Sequence, residues 1–117
     1  GRIINARRQA RGVAWFDFRE LCDGPRGKAD YIELSRRYHT VLLSDVPEFK
    51  LDEADVVRRF TWLVDEFYDR RVKLIISAAA PPSELYAWAQ GGDQFERTIS
   101  RLIEMQTRDY LSEPHLP

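Results

Sequence analysis

The sequence predicts an α/β fold built on a small parallel sheet, and three segments between Thr40 and Ala80 carry that prediction. Val41, Leu42, Leu43 and Val46 form a short apolar run that breaks at Asp45 and Pro47, and Val72, Leu74, Ile75 and Ile76 form a second that ends in Ser77 and small residues. Between them, Val56, Val57, Phe60, Leu63, Val64, Phe67 and Tyr68 recur at the steps that gather side chains on one side of a helix. Two near-continuous apolar strands joined by a helix make a βαβ unit over residues 41–77, in which both strands are expected to be parallel and covered by helices on two faces. The crossover is expected to be right-handed. The helix is expected from about Glu53 to Arg71, with Asp52 capping its first turn.

Upstream, residues 2–5 (RIIN) and 12–18 (GVAWFDF) are β-prone runs separated by the basic ARRQAR, which suggests an N-terminal hairpin with a charged loop. Arg7, Arg8 and Arg11 are the dense positive cluster; without interleaved aromatics or glycines they read as a solvated loop rather than a phosphate contact. In WFDF the period of two puts Phe16 and Phe18 inward and Trp15 and Asp17 on the other face. FRELC supplies about one helical turn, and Gly24, Pro25 and Gly27 then turn the chain. The next helix is expected to open on Asp30 as N-cap with Glu33 at N3, and to face inward with Tyr31, Ile32, Leu34 and Tyr38.

After the second core strand, AAAPPSELY predicts a proline turn and a short helix near Ser83 that Gly91 and Gly92 end. Asp93, with Glu96, is expected to cap a final C-terminal helix whose inward side is Phe95, Ile99, Leu102, Ile103, Gln106 and Tyr110. Arg97, Arg101, Glu104 and Arg108 fall opposite, where an arginine can pair within the helix with Glu104 or form a planar-donor array for phosphate. Residues 1–112 are read as a single α/β domain, and 113–117 as a tail that is loose or docked as an extended segment.

Composition narrows the function classes. A length of 117 residues suits one small domain or a piece of a larger one, and a formal charge of −1 favours neither nucleic acid nor an anionic membrane. The chain opens GRIIN without an initiating Met and without a leader-like run, so it reads as an excised segment of a soluble protein. Cys22 is the single cysteine, which excludes an intrachain disulfide and fits a small core residue in a reducing compartment. His39, at a helix-to-strand junction, lacks partners at ligand spacing and reads as a boundary residue. No metal site is expected.

Chemistry-bearing patterns are few. Asp45 ends a core strand at its carboxyl end, where α/β proteins place metal-binding or phosphoacceptor carboxylates, with Asp17 and Ser77 nearby in the sheet; turn capping is the simpler role, because the companion acids and lysine are missing. GPRG is too short for a phosphate loop and lacks the Lys-Ser/Thr that holds the terminal phosphate and magnesium. Trp62 projects nearly opposite the apolar stripe of its helix and needs a cover, either a second helix layer in this chain or an interface.

The words WFDFRELCDGPRGKADYIELSRRYHTVLLSDVP, RRFTWLVDEFYDRRVKLIISA and FERTISRLIEMQTRDYL, in this order, resemble the C-terminal part of the ZapE/lactation-elevated-protein (AFG1-like) family of P-loop, AAA+-like ATPases, over nearly the whole chain. The resemblance implies part of a P-loop ATPase fold whose Walker A and Walker B motifs lie in an N-terminal half absent here. It implies that the full-length protein hydrolyses ATP with Mg²⁺ to remodel protein clients, such as division or quality-control proteins, and that this segment alone is inactive and binds no cofactor. It implies a homo-oligomer, no nucleic-acid partner, peripheral membrane association as one option, and a cytoplasmic location in bacteria or a mitochondrial one in eukaryotes. Carried over onto the matching words, Arg97 and Arg101 are the candidate arginine finger or sensor, with Arg58 and Arg59 as secondary candidates. VKLIISAAAPPSELY resembles a sensor strand with its proline turn, but Ser77 and alanines stand where a polar asparagine is expected. The alternative from another class is an autonomous module that recruits a client and uses the same arginines for protein contact.

Overall fold

The computed structural model describes residues 4–86 and 93–117, with side chains from Phe95 onward in the second stretch. The elements follow in the order β1 (Arg8–Ala10), β2 (Val13–Asp17), α1 (Phe18–Cys22), α2 (Lys28–Arg37), β3 (Thr40–Val46), α3 (Ala54–Asp69), β4 (Lys73–Ala78), a 3₁₀ turn at Pro82–Glu84, α4 (Asp93–Glu104) and α5 (Arg108–Ser112). The sheet has the order β1-β2-β3-β4; β1 is antiparallel to β2, whereas β2, β3 and β4 run parallel. The βαβ unit is therefore present, with its two strands adjacent and α3 between them in the chain. Among the described residues no helix is long and apolar enough to cross a membrane.

The core lies on one side of the sheet. Ala14, Phe16, Val41, Leu43 and Val46 are buried there beneath the α3 stripe Val56, Val57, Phe60, Leu63, Val64 and Phe67. Each large side chain so buried stabilises the fold by about 1.5–3 kcal/mol before its entropy is counted. Phe18, Phe49 and Phe60 meet with ring centroids 5.6 to 5.7 Å apart, which joins α1, the loop after β3 and α3. Cys22 is buried in this core, and burial pushes its thiol well above the usual range. Trp62 is half-buried, with the Lys28 ammonium of α2 lying 5.4 Å from its ring centre, so its cover comes from within the chain.

The opposite face corrects the expectation of burial on two sides. Val13, Trp15, Leu42 and Thr40 are only half-buried, and Ile75 on the edge strand β4 is 57 % exposed. A near-continuous apolar run looks the same whether its second face is covered here or elsewhere, so sequence pattern alone does not separate the two.

The hairpin exists, but its first strand is the basic segment itself rather than RIIN, of which residues 2 and 3 lie outside the described residues. The turn is Arg11–Gly12, with Gly12 at φ +69, a region glycine enters without a Cβ penalty. A Cβ at Gly12 would also stand 2.3 Å from Cδ2 of His39. His39 and Thr40 both donate backbone N–H groups to the Gly12 carbonyl, at 2.8 and 3.1 Å, which aligns β3 beside β2.

Helix ends differ in detail. Asp30 is the N3 residue of α2, not its N-cap, and its carboxylate accepts from the Gly27 backbone N–H at 2.8 Å. Glu53, not Asp52, occupies the N-cap of α3, and its side chain accepts from Lys50 N at 3.0 Å and from Arg19 at 2.9 Å. The final helix is broken: α4 stops at Glu104, and the Thr107 hydroxyl accepts from Tyr110 N to start α5. Within α4 the buried side is Phe95, Thr98 and Leu102, so Ile103, expected inward, is exposed, and beyond the helix end Met105 is buried while Gln106, also expected inward, is exposed. The expected glycine stop at Gly91 and Gly92 lies outside the described residues, as does the capping side chain of Asp93.

The 113–117 tail is docked rather than loose. His115 Nε2 lies 2.5 Å from the Ser35 carbonyl, Leu116 N donates to Arg70 O at 2.9 Å, and Glu113 accepts from Arg71 Nε at 2.7 Å.

Candidate functional site

Asp65 and Tyr68 stand one turn apart on the margin of α3, just outside its buried stripe. Helix α4 packs across that margin through Phe95, Thr98 and Leu102, a spacing that places Arg97 and Arg101 together, one turn apart, on the near flank. Both guanidinium groups converge on Asp65: Arg101 Nη1 on Oδ1 in a short contact, and Arg97 Nη2 on Oδ2 at 3.6 Å. The Arg101 guanidinium carbon also lies 4.8 Å from the Tyr68 ring centre, and the Tyr68 hydroxyl donates to Glu104 Oε2 at 2.7 Å. That bond, with some burial, raises the Tyr68 phenol above its ordinary value.

The two arginines are not equivalent. Arg101 is 23 % exposed, held by a carboxylate and an aromatic face, whereas Arg97 is 59 % exposed and only loosely paired. The geometry leaves most of the Arg97 fork open to an anion, with Arg101 and Asp65 fixing its base. The intrahelical pairing expected with Glu104 is replaced by pairing between helices, because Glu104 is taken by Tyr68.

Arg58 and Arg59 do not join this cluster. Arg58 pairs with Asp55 three residues earlier and flanks Trp62, and Arg59 donates to the Cys22 carbonyl at 3.4 Å, tying α3 to α1. Asp45 adopts φ +64 where β3 bulges against β4, and its N–H donates to Ser77 Oγ at 2.9 Å, which makes it a turn residue of the sheet. Among the described residues no three His, Cys, Asp or Glu side chains gather as a metal cluster. A cavity of about 450 Å³ lies beyond the carboxyl end of β4, between Ile76, Pro81, Leu85 and Leu102; among the described residues its lining carries no charged side chain. Asp65 and Tyr68, which hold Arg101, were missed by sequence reasoning, whereas Glu104, expected as an arginine partner, holds Tyr68 instead. Tyr68 counted as part of the apolar stripe, and Asp65 had no periodic signal of its own.

The fold and site define a mostly parallel α/β domain with its helices packed on one face and an arginine pair anchored between two of them. A family model described as AFG1-like ATPase matches residues 1–114, and the chain belongs to that family. Cell division protein ZapE of Escherichia coli (strain K12) is 48 % identical over 99 residues, covering 85 % of this chain and 26 % of the relative. Lactation elevated protein 1 homolog B of Danio rerio is 33 % identical, covering 94 % of this chain and 28 % of the relative. An uncharacterized protein of Schizosaccharomyces pombe is 32 % identical, covering 97 % and 31 %. The chain thus spans between a quarter and a third of the length of these relatives. No solved structure matches.

Proposed function

We propose that this chain is the region of a longer AFG1-like ATPase that supports hydrolysis of ATP bound elsewhere in the protein, with Arg97 and Arg101 acting on the developing phosphate charge. The observation that carries this is the convergence of both arginines on Asp65, which pre-orients a guanidinium fork without fully consuming it. ATP and Mg²⁺ are then held by the remainder of the full-length protein, hydrolysis drives remodelling of protein clients, and the arginines act in cis or, in a homo-oligomer, on a neighbour's nucleotide. Similarity to a bacterial cell division protein favours a role in division and a cytoplasmic location.

The test is steady-state hydrolysis by the full-length protein. Arg97→Ala and Arg101→Ala should each lower kcat by about 10² or more with near-normal ATP affinity, since one such donor stabilises the transition state by about 3–4 kcal/mol. Arg108→Ala, exposed on α5, should stay within about a factor of two. Wild-type rates in both variants would reduce α4 to a packing element and move the role to Arg58 and Arg59.

A second reading, client recruitment, is favoured by the exposed Ile103 and Leu111 on the same C-terminal helices, at 54 % and 48 %. It predicts retained hydrolysis and lost client capture in the arginine variants.

A further inference from the structure

The amino end of the parallel sheet carries a second set of arginines, separate from the pair on Asp65. The β1–β2 turn presents Arg11, and the last turn of α2 presents Arg36 and Arg37, all three exposed. Turn and helix end are locked together: His39 and Thr40 donate backbone N–H groups to the Gly12 carbonyl, and the Tyr38 hydroxyl donates to Gln9 Oε1 at 2.8 Å. Arg11 and Arg37 line one open concavity of about 430 Å³, with the Arg37 guanidinium carbon 5.6 Å from the Tyr38 ring centre. Among the described residues neither pairs with a carboxylate, whereas Arg7, Arg19, Arg26, Arg58, Arg71 and Arg101 each do.

A second concavity, of about 380 Å³, adjoins the first across Gln9, Arg37 and Tyr38, which line both. Its floor is apolar, from Ala6, Phe16 and Leu34, and its rim carries Asp30 and Glu33. Along α2 the groove therefore runs from two carboxylates to Arg37 and, beyond it, Arg11. The mixture of signs selects the partner. A bilayer surface or a nucleic acid that is anionic throughout meets Asp30 and Glu33 as well as the arginines, and is repelled at one end. An extended peptide instead places alternate side chains on one side, so it can seat an apolar residue and a carboxylate in successive concavities.

We propose that this groove binds an extended segment of a client protein in which an apolar and an acidic residue stand two positions apart. The apolar side chain lies over Phe16 and Leu34, and the carboxylate sits between the guanidinium groups of Arg11 and Arg37. This deepens the reading above, in which the full-length protein acts on protein clients, and it rests on that part of it.

The test is fluorescence anisotropy on the full-length protein without nucleotide, using a short fluorescein-labelled Gly-Ser peptide with a central Leu-Ser-Asp. The peptide should bind saturably with a Kd of about 0.1 mM or tighter, and Arg11→Glu and Arg37→Glu should each weaken it at least about tenfold. Arg108→Glu, exposed on α5, controls for net charge and should leave the Kd within about twofold. A Leu-Ser-Lys peptide should prefer the Arg11→Glu, Arg37→Glu double variant to wild type, a charge swap that a folding defect does not produce. Arg37→Gln replaces Arg37→Glu if urea unfolding shows a lowered midpoint. Absence of saturable binding would overturn the proposal, as would equal loss in Arg108→Glu or equal affinity for a Ser-Ser-Asp peptide. Phosphatidylserine vesicles or a single-stranded oligonucleotide, bound by wild type and released by both reversals while the peptide stays unbound, would overturn the occupant in favour of an anionic surface or polymer. Binding is read without ATP, so it stands or fails independently of the turnover of the Arg97 and Arg101 variants.

Discussion

Arg101 of α4 lies against Tyr68 of α3, its guanidinium carbon 4.8 Å from the ring centre, while the same guanidinium closes an ion pair on Asp65. One side chain thus joins two helices through charge and through a π face, and it does so at a boundary that is only about one-fifth exposed.

Breaking that junction has a cost separate from any effect on turnover. Asp65→Asn keeps the shape but removes the charge that both arginines share, and should lower stability by about 1–3 kcal/mol, as expected for loss of a charge-assisted bond at a partly buried site. Urea denaturation should show a lower midpoint with an unchanged slope. In the full-length protein the same variant frees Arg101, so ATP affinity should persist while kcat shifts. A midpoint equal to wild type would mean that the pair adds nothing to the packing of α4.

Gly12 should be intolerant of any side chain. Gly12→Ala places a Cβ at φ +69 and 2.3 Å from the His39 ring, and should cost about 1–2 kcal/mol, the backbone term being of that order. His39→Ala in the same background removes the steric part and leaves the backbone part. A double-mutant cycle by chemical denaturation should therefore recover some but not all of the loss. Complete recovery would contradict the assignment of strain to the turn.

Glu53 should make stability depend on pH. Its carboxyl is held below its ordinary value of 4.5, first by the Lys50 N–H and next by Arg19. A depressed folded-state pKa means that the contribution is fully present above about pH 4.5 and is lost as the pH falls through the lower folded value. Comparing wild type with Glu53→Gln by thermal melts from pH 7 to pH 3, the stability gap should be constant above pH 5 and narrow as the acid limit is approached. A gap that widens in acid would reverse the sign of the linkage.

The elements that sequence determined by itself are those in which one local pattern has one structural meaning. The α3 stripe, the two apolar strands around it, the WFDF alternation and the short FRELC turn each state their own period, and each forms where that period places it. The three words that resemble the AFG1-like family lie within the segment that the family model matches. The hairpin was legible as a hairpin, but its register was not. Backbone pairing across Arg11–Gly12 needs no apolar side chains on β1, so Arg8–Ala10, part of the segment that looked like a loop, form the strand.

Tertiary structure alone decided the rest, because it depends on which groups distant in sequence arrive at one point. Nothing local links Asp65 to Arg97 and Arg101; they meet because α4 lies across α3 through Phe95, Thr98 and Leu102, a packing between segments distant in the chain. Arg58 and Arg59, adjacent in the chain to the same helix face, are drawn instead to Asp55 and the Cys22 carbonyl. The open sheet face is of the same kind: a strand's sequence states how apolar it is, whereas whether a second layer covers it depends on residues that the strand does not contain.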